Sequence, residues 1–156
     1  MIQYTFTMSP ISNHDYPGYE QLGNIFNISS SVSISGPVRT VFTSGQIADD
    51  PIGGTPYAKT HGEQFSVAMA NIEKSLQAAS PHLSSEQLWA GVVNMTSFHV
   101  GVLTKDDQLE IAAVARRCFG ANKPAWAAIC VLALFPPEAL VEIQVQAVYA
   151  LARSIA

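Results

Sequence analysis

From Ile25 to Ile34, β-branched residues alternate with serine and asparagine, a period of two that predicts a half-polar strand. Gly36-Pro37 carries turn chemistry, and Thr40-Val41-Phe42-Thr43-Ser44 predicts a second strand, so the two are expected to form a hairpin. Before them, Pro10, Asn13, Pro17 and Gly18 punctuate an interleaving of Tyr4, Tyr16 and Tyr19, which predicts an irregular arm over residues 1–24. After Gly45-Gln46, the stretch Asp49-Asp50-Pro51-Ile52-Gly53-Gly54-Thr55-Pro56 reads as a loop.

The period then lengthens. Phe65, Ala68, Met69, Ile72, Leu76 and Ala79 recur at three- and four-residue steps and predict an amphipathic helix. Thr60-x-x-Glu63 supplies a capping box at its start, and Pro81 ends it. Ser84-x-x-Gln87 predicts a short helical turn, and Val92 to Leu103 a strand. A second helix starts at Asp106 or Asp107, with Ile111, Val114, Ala115, Cys118 and Phe119 as its stripe. Arg116 and Arg117 suit the negative end of its dipole, and Gly120 and then Pro124 end it.

Trp126 to Leu134 is a continuous apolar run, as expected of a strand covered on both faces. Phe135-Pro136-Pro137-Glu138 turns the chain. Leu140 to Tyr149 then alternates, with Val141, Ile143, Val145, Ala147 and Tyr149 on one side and Glu142, Gln144 and Gln146 on the other. The order is β-β-α-β-α-β-β: one α+β domain over residues 1–156, with two helices on one face of a sheet.

Composition adds one anomaly. Only 13% of the 156 residues are charged, against roughly 25% in ordinary domains. The hydrophobic share of 48% is normal, so the deficit lies at the surface, as in chains that hide surface against their own copies. A net charge of −4 argues against a nucleic-acid or anionic-membrane partner. No apolar run reaches the roughly 18 residues of a membrane span, and Met1-Ile2-Gln3-Tyr4 does not open like a signal peptide. Cys118 and Cys130 both sit in apolar stretches and read as buried free thiols, so a reducing, cytoplasmic setting is expected. His14, His61, His82 and His99 lack ligand spacing, and no metal is expected.

The chain has no G-x-S-x-G, phosphate loop or dinucleotide fingerprint. The remaining candidate is Glu142, a carboxylate inside an apolar strand. It is either an interface residue bonded to a partner or a pocket group with a raised pKa. His99 ends a strand, and is either a satisfied structural histidine or a proton shuttle beside a cleft. Arg39, beside the hairpin turn, reads as solvated.

Val41-Phe42-Thr43-Ser44-Gly45-Gln46-Ile47 with Asp50-Pro51, Asn71-Ile72-x-x-x-Leu76-x-Ala78-Ala79, Pro124-Ala125-Trp126 and Leu140-Val141-Glu142-Ile143 together resemble the Rid (YjgF-like) family of imine and enamine deaminases. The resemblance runs from about Ile25 to Tyr149. It implies a chorismate-mutase-like fold assembled as a homotrimer, with three sheets around a central barrel, helices outside, and a ligand cleft at each subunit interface. It implies hydrolysis of reactive imines or enamines to the ketone and ammonia, with no metal or organic cofactor. In the family an arginine binds the substrate carboxylate, a glutamate positions or activates water, and backbone near the Ser-Gly-Gln turn completes the site.

The correspondence is partial. Glu142 matches the glutamate, and Gly45 the glycine after the second strand. The arginine is replaced by Trp126, and the frequent cysteine two residues on by Ala128. The aromatic of the first-strand region has no clear counterpart, and Asn27, Ile28 and Ser29 fall there. The implied site is therefore Glu142 as the catalytic group, with Trp126, Gly45, Ala128, Ser29 and His99 binding substrate.

Arginine offers a bidentate fork to a carboxylate, whereas tryptophan offers one N–H and an apolar face. Either Trp126 fills the old pocket and leaves a non-catalytic trimeric binding or regulatory protein, or it stacks on a larger, less acidic ligand while Glu142 does acid–base work. The second reading gives a diverged enzyme acting on a reactive imine, enamine or related small molecule by hydrolysis, tautomerisation or cyclisation. The family's association with ribonuclease activity gets little support from the acidic balance.

Overall fold

The computed structural model describes residues 9–49 and 59–151. The expectations at Tyr4 and over Asp50–Pro56, including the Asp50-Pro51 pair, lie outside these residues. In chain order the elements are β1 (Ile11–His14), α1 (Glu20–Phe26), β2 (Ser31–Ile34), β3 (Val38–Phe42), β4 (Gln46–Ile47), α2 (His61–Ala79), α3 (Ser85–Ala90), β5 (Val92–Val100), α4 (Lys105–Phe119), β6 (Ala125–Val131) and β7 (Val141–Ala150).

The longer helices form where the apolar stripes and caps place them. The Thr60 hydroxyl accepts from the Glu63 amide at 3.2 Å, and the Glu63 carboxylate accepts from the Thr60 amide at 3.2 Å. Ser84 and Gln87 repeat the device at α3. Thr104 and Asp107 do the same at α4, so that helix begins at Lys105 rather than at Asp106 or Asp107. The α2 stripe is buried from Phe65 to Leu76, and only its last member, Ala79, is exposed.

The main sheet has the order β3-β7-β5-β6, with β4 also paired to β7. β6 runs parallel to β5 because α4 carries the chain back across the sheet between them. Register puts Met95, Ser97 and His99 of β5 beside Val145, Ile143 and Val141 of β7, and beside Trp126, Ala128 and Cys130 of β6. This face meets the helices, and Phe65, Met69, Ile72, Leu76, Ile111, Ala115 and Phe119 complete the core against it. The opposite face carries Phe98 and Thr96 beside Glu142 and Gln144, and beside Ile129 and Ala127. Among the described residues no helix covers that face, and Phe42, which extends it across β3, is 69% exposed.

Several expectations change. The strand over Ile25–Ile34 does not form as one piece: Ile25 and Phe26 end α1, and only Ser31–Ile34 is strand. Asn27 stops the helix in a left-handed conformation (φ 58°), and its side-chain amide donates to the Asn122 carbonyl at 2.8 Å. β2 pairs with β1, Ile34 opposite Ile11, and β3 pairs with β7, so the expected hairpin is absent. The stretch before residue 25 is therefore not all irregular, since it holds β1 and most of α1.

β6 stops at Val131, and it is an edge strand with exposed residues on both faces, Ala128 and Cys130 on the helix side included, not a strand covered on both. Ala127 and Ile129 are exposed, and Leu132 beyond it is 95% exposed. An apolar run cannot say whether its cover comes from the same chain. Cys130 is exposed and Cys118 only half-buried, which corrects the reading of two buried thiols. Burial first, and the Glu73 charge second, raise the Cys118 thiol to about 11. No helix among the described residues is long and apolar enough to cross a membrane.

Candidate functional site

Alternation divides the expected site residues between the two faces of the sheet. Trp126, Ala128 and His99 lie on the helix-covered face, and Glu142 on the open one. Within one protomer the sheet separates Glu142 from Trp126, so they do not share a cleft.

On the covered face, Trp126, Ala128 and His99 line a cavity of about 170 Å³ with Phe26, Ile28, Leu103, Gln108 and Ile111. An apolar cavity of about 150 Å³ is large enough for benzene, so this one suits a ligand of about one ring. Among the described residues its lining holds no Lys, Arg, Asp or Glu. Phe65 packs behind it, nearly parallel to His99 at 6.2 Å between ring centroids and tilted at 5.8 Å from Trp126.

Ser97 sits between the two polar rings. Trp126 Nε1 donates to Ser97 Oγ at 2.9 Å, and Ser97 Oγ lies 2.8 Å from His99 Nε2. His99 is fully buried, and its Nδ1 has no hydrogen-bond partner among the described residues. Nearby, His61 Nε2 donates to the Val100 carbonyl at 3.0 Å, and His61 Nδ1 is 4.0 Å from Asp107. The hydrogen bonds from Thr104 hold the Asp107 carboxyl below its ordinary value.

Burial first, and the nearby His61 second, lower the His99 pKa from 6.5 to about 4, with Asp107 opposing. Between these values the unfolded chain binds a proton that the folded chain does not. Unfolding therefore takes up a proton, and stability falls as the pH drops through this window. The expected loss from pH 6.5 to 4 is about 3 kcal/mol, present in urea melts of the native chain and absent from those of His99→Phe.

On the open face, Glu142 and Gly45 are in close contact. A Cβ at residue 45 would lie 1.8 Å from Glu142 Oε1 and 2.9 Å from its Cγ, so only glycine leaves this carboxylate where it is. The Asn71 amide donates to the Ile47 and Asp49 carbonyls, each at 2.9 Å, which pins the segment after Gly45 to α2. Gln64 anchors the approach to β7: its amide donates to the Glu138 carbonyl at 3.1 Å, and its oxygen accepts from the Leu140 amide at 2.8 Å.

Ser29 lies outside the cavity lining. It is buried, donates to the Lys123 carbonyl and accepts from the Asn13 amide at 3.0 Å. Its neighbour Ile28 lines the cavity instead. Arg39 is not simply solvated: it donates to the Ala79 carbonyl at 3.1 Å and to Ser80, closing the end of α2, and lies over the Tyr149 ring at 5.5 Å. Sequence reasoning missed Ser97, though its place two residues before His99 was a usable signal. It also missed Phe26, Leu103, Gln108 and Ile111, which come from distant parts of the chain with no shared pattern. Among the described residues, no three His, Cys, Asp or Glu side chains gather to hold a metal ion.

Residues 27–149 match the family model described as Endoribonuclease L-PSP. Among solved structures the chain is similar to YyfB of Yersinia pestis, described as a protein of unknown function of the conserved Rid family. They share 24% identity and a TM-score of 0.74 over 88% of this chain and 98% of that one. It is also similar to E. coli TdcF, solved with bound serine, at 28% identity and a TM-score of 0.57 over 71% of this chain and 81% of that one. Rv2704 of Mycobacterium tuberculosis, a member of the YjgF family, gives 22% identity and a TM-score of 0.54 over 88% and 98%. No curated protein matches the chain by sequence.

Proposed function

Because this chain belongs to the Endoribonuclease L-PSP family, the YjgF/Rid family, we propose that it hydrolyses a reactive imine or enamine that carries no carboxylate. The observation behind this reading is the cavity under Trp126, whose lining among the described residues offers no cation to an acid. The serine bound to TdcF supports a small-molecule role for this fold, while the lining here favours a less polar guest.

In the proposed reaction the oxygen of water bonds to the imine carbon, the C–N bond breaks, and ammonia leaves. Glu142 takes a proton from the water and returns it to nitrogen to give the carbinolamine, then moves the hydroxyl proton to the same nitrogen as the C–N bond breaks. Its carboxylate is half-buried over Gly45, and no hydrogen bond or ion pair from the described residues occupies it. It lies on the face opposite the cavity, so it serves that reaction from a neighbouring copy. The assembly that does this is a homotrimer, with the open face around Phe98, Ile129 and Glu142 covered by other copies.

The test supplies two substrate sets: 2-imino acids made in place by an amino-acid oxidase, and N-unsubstituted imines of cyclic ketones, without a carboxylate, made in place by an amine oxidase. Ammonia release is followed against buffer. The neutral imines are expected to react faster than buffer and the 2-imino acids at nearly the buffer rate. Glu142→Gln is expected to lower the enzymic rate by about 10²–10⁴-fold. No acceleration of any imine, or a monomer by light scattering, overturns the reading. Release of an unaltered ligand in native mass spectrometry would instead mark a non-catalytic binding protein.

A further inference from the structure

The cavity under Trp126 takes one of its walls from the N-terminal arm. Phe26, the last residue of α1, lines it, while the match to the family begins at residue 27. Ile28, His99 and Ile111 are buried and form the inner wall. Phe26 and Trp126 are partly exposed, so these two rings stand toward the opening. Among the described residues Phe26 belongs neither to the hydrophobic core nor to the partly buried side chains packed against it. Its ring borders the cavity without supporting the core, and truncating it leaves the core intact.

The chain fixes Phe26 from both sides. Before it, Arg116 of α4 donates to the Asn24 carbonyl and to the Ile25 carbonyl at 3.1 Å, and Lys123 Nζ donates to Asn24 Oδ1 at 2.9 Å. After it, Asn27 is tied to the Asn122 carbonyl, and the Ser29 amide donates to the Pro124 carbonyl at 3.3 Å. The Ile28 amide also donates back to the Gly23 carbonyl at 3.0 Å. A Cβ at residue 23 would lie 2.8 Å from the Ile28 carbonyl oxygen, so glycine permits this close return. A helix of 7 residues is not stable alone, so these ties set where the Phe26 ring stands.

We infer that Phe26 is a specificity-determining residue, a fixed wall that limits the ligand to about one ring. The inference rests on the cavity being the ligand site, as proposed above. The cavity of about 170 Å³ is near the size that holds benzene. The Phe26 side chain is itself a benzene ring, so its removal opens room for one ring more. The guest that fits the native wall is a neutral monocyclic imine, and fused bicyclic imines fit poorly.

Binding of cyclohexanone and 2-decalone, the ketone products of a one-ring and a two-ring imine, tests this without turnover. The indole ¹⁵N–¹H resonance of Trp126 reports occupancy. The native protein is expected to bind cyclohexanone about tenfold more tightly than 2-decalone, a typical penalty for excess bulk in an apolar pocket. Phe26→Ala is expected to reverse the order, with 2-decalone about tenfold tighter, because its second ring is then buried. Phe26→Leu is expected to narrow the native preference, and Phe26→Trp to weaken both ketones. Melting temperatures of the Ala and Leu variants are expected within about 4 °C of native, since the ring lies outside the core. A native protein that binds the two ketones equally, or a folded Phe26→Ala that keeps the native order, overturns the inference.

The two readings fail separately. Size-ordered ketone binding without imine turnover sinks the proposed hydrolysis and leaves Phe26 as the wall. Equal turnover of one-ring and two-ring imines, in the native protein and in Phe26→Ala alike, sinks the wall and leaves hydrolysis standing.

Discussion

Replacing Phe65 with alanine is expected to destabilise the protein by about 3–5 kcal/mol. Phe65 is fully buried in the first turns of α2, where that helix, β5 and β6 converge. Its ring packs near both His99 and Trp126, so truncation removes packing from two residues of the cavity wall. The neighbours cannot easily close the gap. Trp126 is tethered to Ser97, and so is His99, while Met95 and Val141 are fixed in the sheet ladder. Urea unfolding followed by circular dichroism should show a lower midpoint with an unchanged slope. A loss below about 1 kcal/mol would mean that the region collapses onto the gap, and that the cavity walls are softer than this packing requires.

The second large effect concerns substrate charge. Trp126→Arg restores the guanidinium that the family resemblance leads one to expect at this position. Among the described lining residues it would be the one cation, with a fork of donors on the same strand position. A charge-assisted hydrogen bond contributes about 1.5–3 kcal/mol. Turnover of small 2-imino acids is therefore expected to rise by about 10- to 100-fold in kcat/KM. The neutral imines should lose ground, because the indole face that covers them is gone. The variant also gives up the Trp126–Ser97 hydrogen bond and the contact with Phe65, so its melting temperature should be measured beside its kinetics. A soluble, folded variant with no gain on 2-imino acids would show that Trp126 does not stand where the carboxylate binds.

Parts of this fold were legible because they depend on residues close in sequence. The Thr60–Glu63 box and the Phe65–Leu76 stripe placed α2, and strict alternation placed the inner and outer faces of β7. The first strand was misread because β-branched alternation over Ile25–Ile34 also fits a helix end followed by a short ribbon. What separates them is the tie from Asn27 to Asn122, 95 residues away. The Trp126–Leu134 run was misread as covered because an apolar strand looks the same whether its cover comes from its own chain or from elsewhere.

The low charge of the chain follows the same division. Its count was plain from composition, and the open face now locates part of it: around the single carboxylate of Glu142, the residues Phe98, Ile129, Ala127, Gln144 and Gln146 form a wide surface of uncharged side chains. By itself the sequence determined the helices, the alternation of the last strand, the family resemblance, and the replacement of an arginine by Trp126. These rest on local periodicity, caps and short motifs. Only the tertiary structure decided that Glu142 and Trp126 face opposite ways, and that Ser97 joins Trp126 to His99. A strand's alternation gives each residue a side, but which sides coincide across strands depends on register, and register is set by packing between segments far apart in the chain.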